Sequence, residues 1–358
     1  MITGDHPATA TAIADAVGLR RPDDPVLLGA DLPADERLLG ATVDRDGVVI
    51  SRVTPDDKLR IARALRGCGH VVAMTGDGVN DGPALQEADI GIAMGRTGTD
   101  VAREAADLVL LDDDFATIVE AIRVGRATFA NARQFLTYHL TDNVAELTPF
   151  VLWALTGGRF PLALGVLQIL ALDLGTDTLS ASALGAEPPA PDVLGGAPAA
   201  GRFLNRQVAT RAFGVLGPIE AAAGIGAFVA VCAHDGWRPG EAFPSADILE
   251  AASGATFATV VFAQTANAFA CRSARDPAWR LPALGNPHLL VAAALELAFA
   301  MTMLAVGPLA AFLGHRTPPM IGWLVAVASI PLVLGADALT KRRQDRRGTS
   351  DASNISPM

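Results

Sequence analysis

The chain has 358 residues, of which 51% are hydrophobic and 18% are charged, and its formal net charge is -10. This composition is too apolar for an ordinary soluble protein and predicts a soluble part joined to a membrane part. The negative charge argues against nucleic acid as a partner. The three cysteines are odd in number and lack C-x-x-C spacing, so neither a disulfide framework nor a thiolate metal site is indicated.

Residues 1–113 alternate between strand-like and helix-like segments, the pattern of a doubly wound α/β sheet. Helices are predicted at residues 7–17, 56–66, 83–87 and 99–105, and strands at 26–29, 47–53, 70–74, 90–94 and 108–111. The D-x-D-G sequence at residues 44–47 is interpreted as a hairpin turn, because D-G is a common tight-turn dipeptide. The alternative is that Asp44 or Asp46 is the nucleophile of a phosphatase.

A dense polar motif occupies residues 74–85, M-T-G-D-G-V-N-D-G-P-A-L, directly after an apolar run at 71–73 that predicts a buried parallel strand. In an open α/β sheet, ligands bind beyond the carboxyl ends of the strands. Carboxylates suit Mg2+, and glycines let the backbone approach a phosphate. The candidate site residues of this motif are Gly76, Asp77, Gly78, Asn80 and Asp81.

A long helix is predicted at residues 116–154, after an acidic triplet whose last residue, Asp114, is placed as the N-cap. We expect the triplet to have no other role. At about 1.5 Å per residue the helix is about 58 Å long. Its second half is apolar, so it joins the soluble part to the membrane part. Five further apolar segments bring the predicted spans to six, at residues 162–184, 208–232, 251–270, 289–309 and 321–339.

Arginine and lysine residues concentrate after the second, fourth and sixth predicted spans. By the positive-inside rule, the N-terminal domain and the C terminus are both cytoplasmic in a multi-pass protein of the plasma membrane. The predicted organisation is an α/β domain, a cytoplasmic stalk helix, a six-helix transmembrane domain and a disordered cytoplasmic tail, at residues 1–113, 114–136, 137–340 and 341–358.

Polar residues inside the predicted spans indicate a cation site, because a carboxylate within a membrane is costly and usually functional. Gly175 is expected to let the second span unwind and offer carbonyl oxygens to a cation. Hard oxygen ligands suit Na+, K+, Ca2+ or Mg2+ rather than copper or zinc. The main candidate ligands are Asn143, Glu146, Asp173, Thr176 and Asp177, and the weaker ones are Asp142, Gln264, Asn267 and Glu296, with Glu220 least favoured.

The motif at residues 74–85 resembles the hinge motif of P-type cation-transporting ATPases, a branch of the haloacid dehalogenase superfamily. Residues 1–10, M-I-T-G-D-H-P-A-T-A, and 52–58, R-V-T-P-D-D-K, are similar to the two phosphate-site motifs that precede the hinge, and they occur in the family's order. The resemblance implies an α/β partial haloacid-dehalogenase-like domain of Rossmann type, followed by an all-α transmembrane domain.

The resemblance also assigns roles at a phosphate to residues of the three motifs. The Thr3 hydroxyl and the Gly4 amide would hold phosphate oxygens, and Asp5 belongs to the same motif. Lys58 would neutralise the phosphate, and Asp77 would ligate Mg2+. The implied cofactors are Mg2+ and ATP, with the nucleotide-binding domain outside this chain.

Two membrane motifs, N-x-x-E-x-T-P-F at 143–150 and D-L-G-T-D at 173–177, resemble the fifth and sixth helices of type II pumps. Asp173 and the Thr-Pro pair favour the sodium-potassium type over the calcium type, although Na+/K+, Ca2+ and Mg2+ all stay open. Asp142 departs from both patterns, which have a small hydroxyl residue or a lysine there. An extra carboxylate favours a more positive load or a proton counter-ion.

The implied function is ATP-driven transport of a hard cation through an aspartyl-phosphate cycle. The family's phosphorylated Asp, in D-K-T-G-T, occurs nowhere in these residues. The expected match is therefore the C-terminal half of a pump, with a sheet that lacks its central strand, and we expect this chain alone not to hydrolyse ATP. Expected partners are the transported cation, membrane lipid and the N-terminal pump half. Two alternatives are a non-catalytic truncated membrane paralogue that binds cations or a partner, and a membrane-anchored haloacid-dehalogenase-type phosphatase.

Overall fold

The computed structural model describes residues 1–195, 202–238 and 240–353, with side chains described as far as Arg343. The chain divides into two compact units, Met1–Ala121 and Ile122–Met358. Each unit has its own buried apolar clusters, so each is described by itself.

The N-terminal unit contains two small parallel sheets among the residues described. β1 (Val26–Leu28) pairs with β2 (Val49–Ser51), and a second sheet has the order β3-β4-β5. The single doubly wound sheet expected from the alternation is therefore not formed here, although the α/β class is confirmed. The other strands are β3 (Ala73–Gly76), β4 (Ile90–Met94) and β5 (Leu108–Leu110), and the helices are α1 (Pro7–Ala16), α2 (Glu36–Val43), α3 (Pro55–Gly67), α4 (Gly82–Glu87) and α5 (Asp100–Ala105).

Helix α3 begins with a complete capping box. The Thr54 hydroxyl accepts the Asp57 N–H over 3.2 Å, and the Asp57 carboxylate accepts the Thr54 N–H over 2.9 Å. Pro55 takes the first helical position, where its missing N–H costs nothing. The apolar face of α3 packs through Ile61 against Ile50 of β2 and Leu39 of α2. The start and the rotation of the helix are thus both determined, and they set where Lys58 projects.

Two local predictions in this unit are wrong. Residues 71–73 do not form a buried strand, because β3 starts only at Ala73 and Val71 is 73% exposed. The reason is that β3 is an edge strand and has a single neighbour. The D-x-D-G sequence is not a hairpin, because β1 and β2 are parallel and α2, which the sequence reading missed, lies between them. Gly47, with φ +76°, instead makes the turn from α2 into β2.

The acidic triplet before the long helix has a further role that the sequence did not indicate. Asp114 caps the helix as expected, since its carboxylate accepts a first-turn N–H over 2.8 Å. Asp113 has φ +57°, and its carboxylate accepts the backbone N–H groups of Gly95, Arg96 and Thr97 over 2.7 to 3.0 Å. The hydrogen bond from Arg96 is the largest cause of a lowered pKa for Asp113. The loop after β4 is therefore held by this one carboxylate.

The second unit is helical. Its helices are α6 (Phe115–Leu155, which starts in the first unit), α7 (Val166–Leu172), α8 (Thr178–Gly185), α9 (Arg206–Arg211), α10 (Gly217–His234), α11 (Ala246–Ala270), α12 (Pro287–Ala305), α13 (Gly307–Leu313) and α14 (Met320–Ser353). Within the described ranges, four helical stretches are long and apolar enough to cross a membrane: Arg206–His234, Ala246–Ala270, Pro287–Ala305 and Met320–Arg343.

The count of six predicted spans is not confirmed. Helix α6 carries polar side chains through its second half, which lowers its mean hydropathy. The segment predicted at 162–184 forms α7, a π-helical turn at Asp173–Asp177, and α8, and the polar residues of that turn interrupt its apolar sequence. A π-helical turn also joins α9 to α10, at Ala212–Leu216, but that turn is apolar, and the combined helix is among the four candidate spans.

Helix α11 is the central helix of this unit and packs against α8, α10, α12 and α14. Its middle is buried on every side, with Phe257, Ala258 and Val261 in one apolar cluster with Leu172 and Leu304. A helix buried all round brings any polar side chain it carries into the interior. This is how α11 brings amide groups next to carboxylates of other helices.

Gly175 does not unwind its helix as expected. The chain stays helical through the π-helical turn, and the glycine instead makes room for α12. A Cβ at Gly175 would lie 2.2 Å from a ring carbon of Phe299. The absent side chain is thus what lets α12 approach the turn that carries Asp173 and Asp177.

A buried ion cluster joins α9, α14 and the end of α11. Asp337 accepts from Arg211 Nε over 2.9 Å and from Lys341 Nζ over 2.5 Å. Lys341 also donates to the Ala270 carbonyl over 2.8 Å. Helix α14 continues to Ser353, so it extends into the tail predicted at residues 341–358, and residues 354–358 lie outside the described part of the chain.

Candidate phosphate and cation sites

The polar motif after β3 is built around Asp81, which is only 7% exposed. One of its oxygens accepts the Gly78 N–H over 3.1 Å and the Asp77 N–H over 3.3 Å. The other accepts Lys58 Nζ over 2.6 Å. Gly76 is required in this turn, because a Cβ there would lie 2.5 Å from that of Asp81.

The protonation of Asp81 follows from these contacts. Burial raises the pKa of Asp81, but the hydrogen bond from Lys58 and the backbone N–H groups outweigh burial, so the pKa is lowered overall. Asp81 is therefore an anion whose oxygens are already bound. It holds Lys58 in place, which differs from the free magnesium ligand that the sequence suggested.

Asp77 is the residue of this motif that fits Mg2+. Its side chain is exposed where β3 ends, and its carboxylate has no hydrogen-bond donor among the residues described. A free, exposed carboxylate at a strand end is a suitable hard ligand for a hydrated divalent ion. Asn80 is exposed in the same turn. The residues present thus fit a magnesium ion at Asp77, with Asn80 beside it.

The motif at the start of the chain lies beside β2. Thr3 N–H donates to the Ile50 carbonyl over 2.9 Å, and the Thr3 hydroxyl donates to Asp5 over 2.9 Å. Gly4 and Asp5 are exposed. Within the described residues no hydrogen bond joins this motif to Lys58, so the structure brings Lys58 and Asp81 together and leaves Thr3, Gly4 and Asp5 as a separate turn.

The phosphatase alternative gains no support from the geometry. Asp44 is hydrogen-bonded to His70 Nε2 over 2.8 Å, and Asp46 is exposed in the turn that leads into β2. Neither carboxylate forms an ion pair with a lysine among the described residues.

Three carboxylates from two helical segments converge in the second unit. Glu146 of α6 and Asp173 and Asp177 of the π-helical turn place one oxygen each within 4.8 Å of the others. Glu146 and Asp177 are buried. Gln264 of α11 donates to Glu146 over 2.8 Å. These residues form the candidate cation site, and they include three of the main ligands expected from the sequence.

The other expected ligands on these helices are bound locally. The Thr176 hydroxyl donates to the Leu172 carbonyl over 2.7 Å and reaches Asp177 at 3.3 Å. Asn143 donates to the carbonyl of His139, one turn back in α6, over 2.7 Å. Thr176 is therefore beside the cluster, whereas the Asn143 amide is committed to its own helix.

Tyr138 belongs to the same cluster but was missed from the sequence. Its hydroxyl lies 3.4 Å from Asp177, and the side chain is fully buried. A signal existed, because Tyr138 is the single tyrosine of the chain and lies one helical turn before Asp142. A buried tyrosine needs a hydrogen-bond partner, and here the partner is a carboxylate.

The weaker candidates surround this cluster. Asn267 of α11 donates to Asp142 over 3.0 Å, and Glu296 of α12 accepts the Ser180 N–H over 3.2 Å. Several buried polar atoms here have no partner among the residues described. They are Asp142 Oδ2, Asp177 Oδ2, both carboxylate oxygens of Glu220, Gln264 Oε1 and Ser180 Oγ.

The charge of the cluster is unbalanced. Unlike Asp337, none of these carboxylates pairs with a lysine or arginine in the described part of the chain. Two full negative charges about 5 Å apart repel by about 3 kcal/mol at an effective dielectric constant of about 20. A bound cation would remove this repulsion and would supply a partner for the unpartnered oxygens.

Comparison with known families agrees with this two-part arrangement. Residues 161–343 match the family described as cation transporting ATPase, C-terminus. Residues 1–89 match the haloacid dehalogenase-like hydrolases. The first match lies within the helical unit and the second within the small α/β unit.

Similar curated proteins are sodium/potassium-transporting ATPase subunits. Alpha-2 of Rattus norvegicus is 38% identical over 268 residues, alpha-3 of Homo sapiens 38% over 269, and alpha-4 of Homo sapiens 39% over 268. Each alignment covers 67% of this chain and 26% of the relative, so the chain spans about a quarter of their length. The chain is a multi-pass membrane protein that belongs to the P-type cation-transporting ATPases and corresponds to their C-terminal part.

Proposed function

We propose that this chain forms the cation-translocating part of an ATP-driven pump that moves a hard cation of the Na+/K+ class through an aspartyl-phosphate cycle. The observation that carries the proposal is the convergence of Glu146, Asp173 and Asp177, with buried oxygens nearby that lack donors among the described residues. Carboxylate and amide oxygens select hard cations over copper or zinc. The sodium/potassium pumps among the relatives favour monovalent ions, with Ca2+ as the runner-up.

The small α/β unit is proposed to act on the phosphoryl group. Lys58, which is held by Asp81 over 2.6 Å, would neutralise phosphate oxygens. Asp77 would hold Mg2+, which supplies charge neutralisation during phosphoryl transfer. Thr3 and Gly4 would complete the phosphate cradle. The phosphorylated Asp and the ATP site come from polypeptide outside these residues, so the N-terminal part of the pump is the proposed partner.

Coupling is proposed to run along α6. This helix begins at Phe115, shortly after β5, and carries Glu146 as part of the same continuous element. A change at the phosphoryl group that displaces the start of α6 would change the position of Glu146 relative to Asp173 and Asp177. The cation would thereby be bound in one state and released in the other.

The proposed membrane topology has six spans, which adds α6 and the α7–α8 segment to the four long apolar helices. The arginine-rich loops place the N-terminal unit and the C terminus in the cytoplasm, and the relatives favour the plasma membrane. This topology is tested by introducing a cysteine at each end of α6 and labelling it from either side of sealed vesicles. Labelling of both ends from the same side would contradict the proposed topology.

The proposed function is tested by co-expressing the chain with the N-terminal part of a sodium/potassium-type pump. The ATPase activities of the parent chain and of the Asp173→Asn variant are then measured in a panel of Na+, K+, Ca2+ and Mg2+. We expect cation stimulation in the parent and a loss of about tenfold or more in affinity for that cation in the variant, equivalent to about 1.4 kcal/mol or more.

The matched control is Asp192→Asn, which removes an exposed carboxylate paired with Arg275. The control should keep the cation affinity of the parent. Activity that needs no added cation, or equal affinities in Asp173→Asn and the parent, would contradict the proposal. Activity of the chain without its partner would contradict the assignment of the phosphorylated Asp to another segment.

A further inference from the structure

A buried polar network lies at the start of α7 and is separate from the candidate cation site. It consists of Gln168 of α7, Ser253 of α11 and His315, which lies in the short connection between α13 and α14. All three side chains are buried. Gln168 Nε2 lies 2.9 Å from Ser253 Oγ and 3.0 Å from His315 Nδ1. We call these three residues the His315 network.

The hydrogen-bond partners determine the protonation of His315. Its Nε2 atom lies 3.3 Å from the Met303 carbonyl, so this nitrogen carries a proton. Gln168 Oε1 accepts the Gly165 N–H over 2.7 Å, which leaves the NH2 group of Gln168 facing the imidazole. His315 Nδ1 is therefore an acceptor, and an imidazole with one donor and one acceptor nitrogen is neutral. The network is complete only while His315 is uncharged.

Protonation of His315 would bring two donors face to face. The Nδ1–H of an imidazolium would point at the NH2 group of Gln168, and neither can accept. Turning the Gln168 amide by 180° would give His315 an acceptor but would point the NH2 group at the Gly165 N–H. A hydrogen bond is lost in either orientation, and a buried donor without an acceptor is costly. Protonated His315 is therefore incompatible with the present arrangement of Gln168.

Gln168 determines where α7 begins. Its side chain accepts the N–H of Gly165, the residue directly before the helix. Helix α7 then continues without a break into the π-helical turn that carries Asp173 and Asp177. The ring of His315 also lies 5.1 Å from that of Phe257, which packs in the apolar cluster around α7. A change in the His315 network thus acts on the helical segment that presents two candidate cation ligands.

The elements packed around His315 offer no anion to an imidazolium. Helices α7 and α13 and the first half of α14 carry no titratable side chain, and α12 faces the ring with the Met303 carbonyl. On α11, Asp247 and Glu250 pair with Arg316 over 2.5 and 2.7 Å. Both ring nitrogens of His315 have neutral partners in the described part of the chain.

The pKa of His315 agrees with this geometry. His315 lies outside the four long apolar helices. Burial lowers its pKa, and the hydrogen bond to the Met303 carbonyl opposes this effect without outweighing it. The stabilisation by the network is therefore present above the unfolded-state pKa of about 6.5 and is lost as the pH falls through the lower folded-state pKa.

We propose that His315 and Gln168 form a pH-sensitive switch, in which protonation of His315 releases the start of α7 and weakens cation binding at Asp173 and Asp177. The inference rests on the proposed function, because it assigns a regulation to the proposed cation site. His315 and Gln168 act through α7, so both are positioning residues. In the proposed topology α7 begins on the side opposite the cytoplasm, and the protons of that side are the regulator.

The test uses the purified full chain in lipid nanodiscs at about pH 7.5 and about pH 5.5. Hydrogen exchange of the peptide 160–172, corrected for the intrinsic effect of pH, reports on the start of α7. Equilibrium binding of 22Na+ and 45Ca2+ reports on the cation site. The variants are His315→Asn and Gln168→Glu, and the matched control is His234→Asn, because His234 is exposed at the end of α10.

His315→Asn should remove the pH response and keep the network. Asparagine can place an acceptor near the position of Nδ1 and does not titrate. Exchange in 160–172 should accelerate at pH 5.5 in the parent and in His234→Asn, but not in His315→Asn. The carboxylates of the cation site also bind protons in acid, so affinity should fall in every protein. The fall should be larger in the parent than in His315→Asn by about fivefold or more.

Gln168→Glu tests the same switch from the other residue. A carboxylate at this position accepts both the Gly165 N–H and an Nδ1–H of His315, so it is compatible with protonated His315. The acceleration of exchange at pH 5.5 should therefore disappear. Acceleration equal to that of the parent in both Gln168→Glu and His315→Asn would overturn the switch.

The outcomes separate this inference from the proposed function. If the exchange response disappears in both variants but the parent binds neither ion at either pH, the switch stands and the cation site fails. If ions bind, and the parent and His315→Asn lose exchange protection and affinity equally in acid, the switch is overturned and the cation site stands. If ions bind and only the exchange responds, the regulation of the cation site is overturned.

Discussion

Lys58 Nζ donates to Asp81 Oδ1 over 2.6 Å, which joins α3 to the turn that follows β3. In the chain, Lys58 follows the β1-β2 sheet and Asp81 follows the first strand of the β3-β4-β5 sheet. The ion pair is partly shielded from water. A single contact therefore fixes both the amine proposed to meet the phosphate and the turn that carries Asp77. Removing Asp81 should loosen both.

Asp81→Asn is expected to destabilise the turn after β3 by about 1–2 kcal/mol at neutral pH, through loss of the ion pair and of the charge on two backbone hydrogen bonds. The pKa of Asp81 is lowered in the folded state, so the stabilisation is present above the unfolded-state pKa and is lost as the pH falls through the folded-state pKa. Parent and variant should therefore converge in acid.

Hydrogen exchange of the Asp77 and Gly78 amides measures this effect, because both donate to Asp81. Exchange should accelerate in the variant near pH 7. The control is Asp46→Asn, an exposed carboxylate in the turn before β2. Equal exchange in Asp81→Asn and the parent would show that Lys58 and the turn are held by other contacts.

Asp113→Ala is expected to release the loop after β4. The substitution removes the acceptor of three backbone N–H groups. It also leaves an alanine at φ +57°, a backbone conformation that alanine disfavours. Asp113→Asn should release the loop less, because asparagine tolerates this backbone conformation. Trypsin cleavage after Arg96 in native conditions measures the release.

Leu111→Ala is a matched control for the loop, since Leu111 is exposed and adjacent. Cleavage should rise most in Asp113→Ala and stay at the parent rate in the control. The pKa of Asp113 is lowered, so protection from trypsin in the parent should be retained at neutral pH and decline in acid through the folded-state pKa. Equal cleavage of all four proteins contradicts the role of Asp113.

Gly175→Ala is expected to disturb the cation site through α12. Its Cβ would meet the Phe299 ring at 2.2 Å, and overpacking of this kind costs about 1–3 kcal/mol. The Tm of the purified chain should fall, and the cation-induced rise in Tm should shrink because Asp173 and Asp177 are displaced. Adding Phe299→Leu to Gly175→Ala should restore both.

Gly226→Ala is the control for this substitution, because a Cβ at Gly226 in α10 meets no atom within 4 Å. Its Tm should equal or exceed that of the parent, since alanine favours helix. A cation response that is unchanged in Gly175→Ala would mean that α12 does not constrain the π-helical turn.

Asp337→Asn is expected to be the most destabilising of these changes. It leaves Arg211 and Lys341 buried without their anion, a situation that costs about 3–5 kcal/mol. Asp247→Asn removes an exposed partner of Arg316 and should cost less than about 1 kcal/mol. Heat-induced loss of monodisperse protein on gel filtration measures both, and equal Tm values for the two variants would contradict the difference in burial.

The sequence by itself determined the local chemistry of this protein. The spacing of Asp173 and Asp177, the N-cap at Asp114 and the turn glycines around Asp77 all depend on neighbours within a few residues, where helix and turn geometry are predictable. The order of the phosphate motifs and the apolar helices likewise indicated the family before any contact was known.

Only the tertiary structure decided which distant residues meet. The hydrogen bond from Gln264 to Glu146 joins α11 to α6, and no local sequence pattern relates these two helices. Lys58 with Asp81 and Arg211 with Asp337 are likewise set by packing between elements that no local pattern relates. The physical reason is that periodicity specifies which face of a helix is polar, whereas the partner of that face depends on how all the helices fit together.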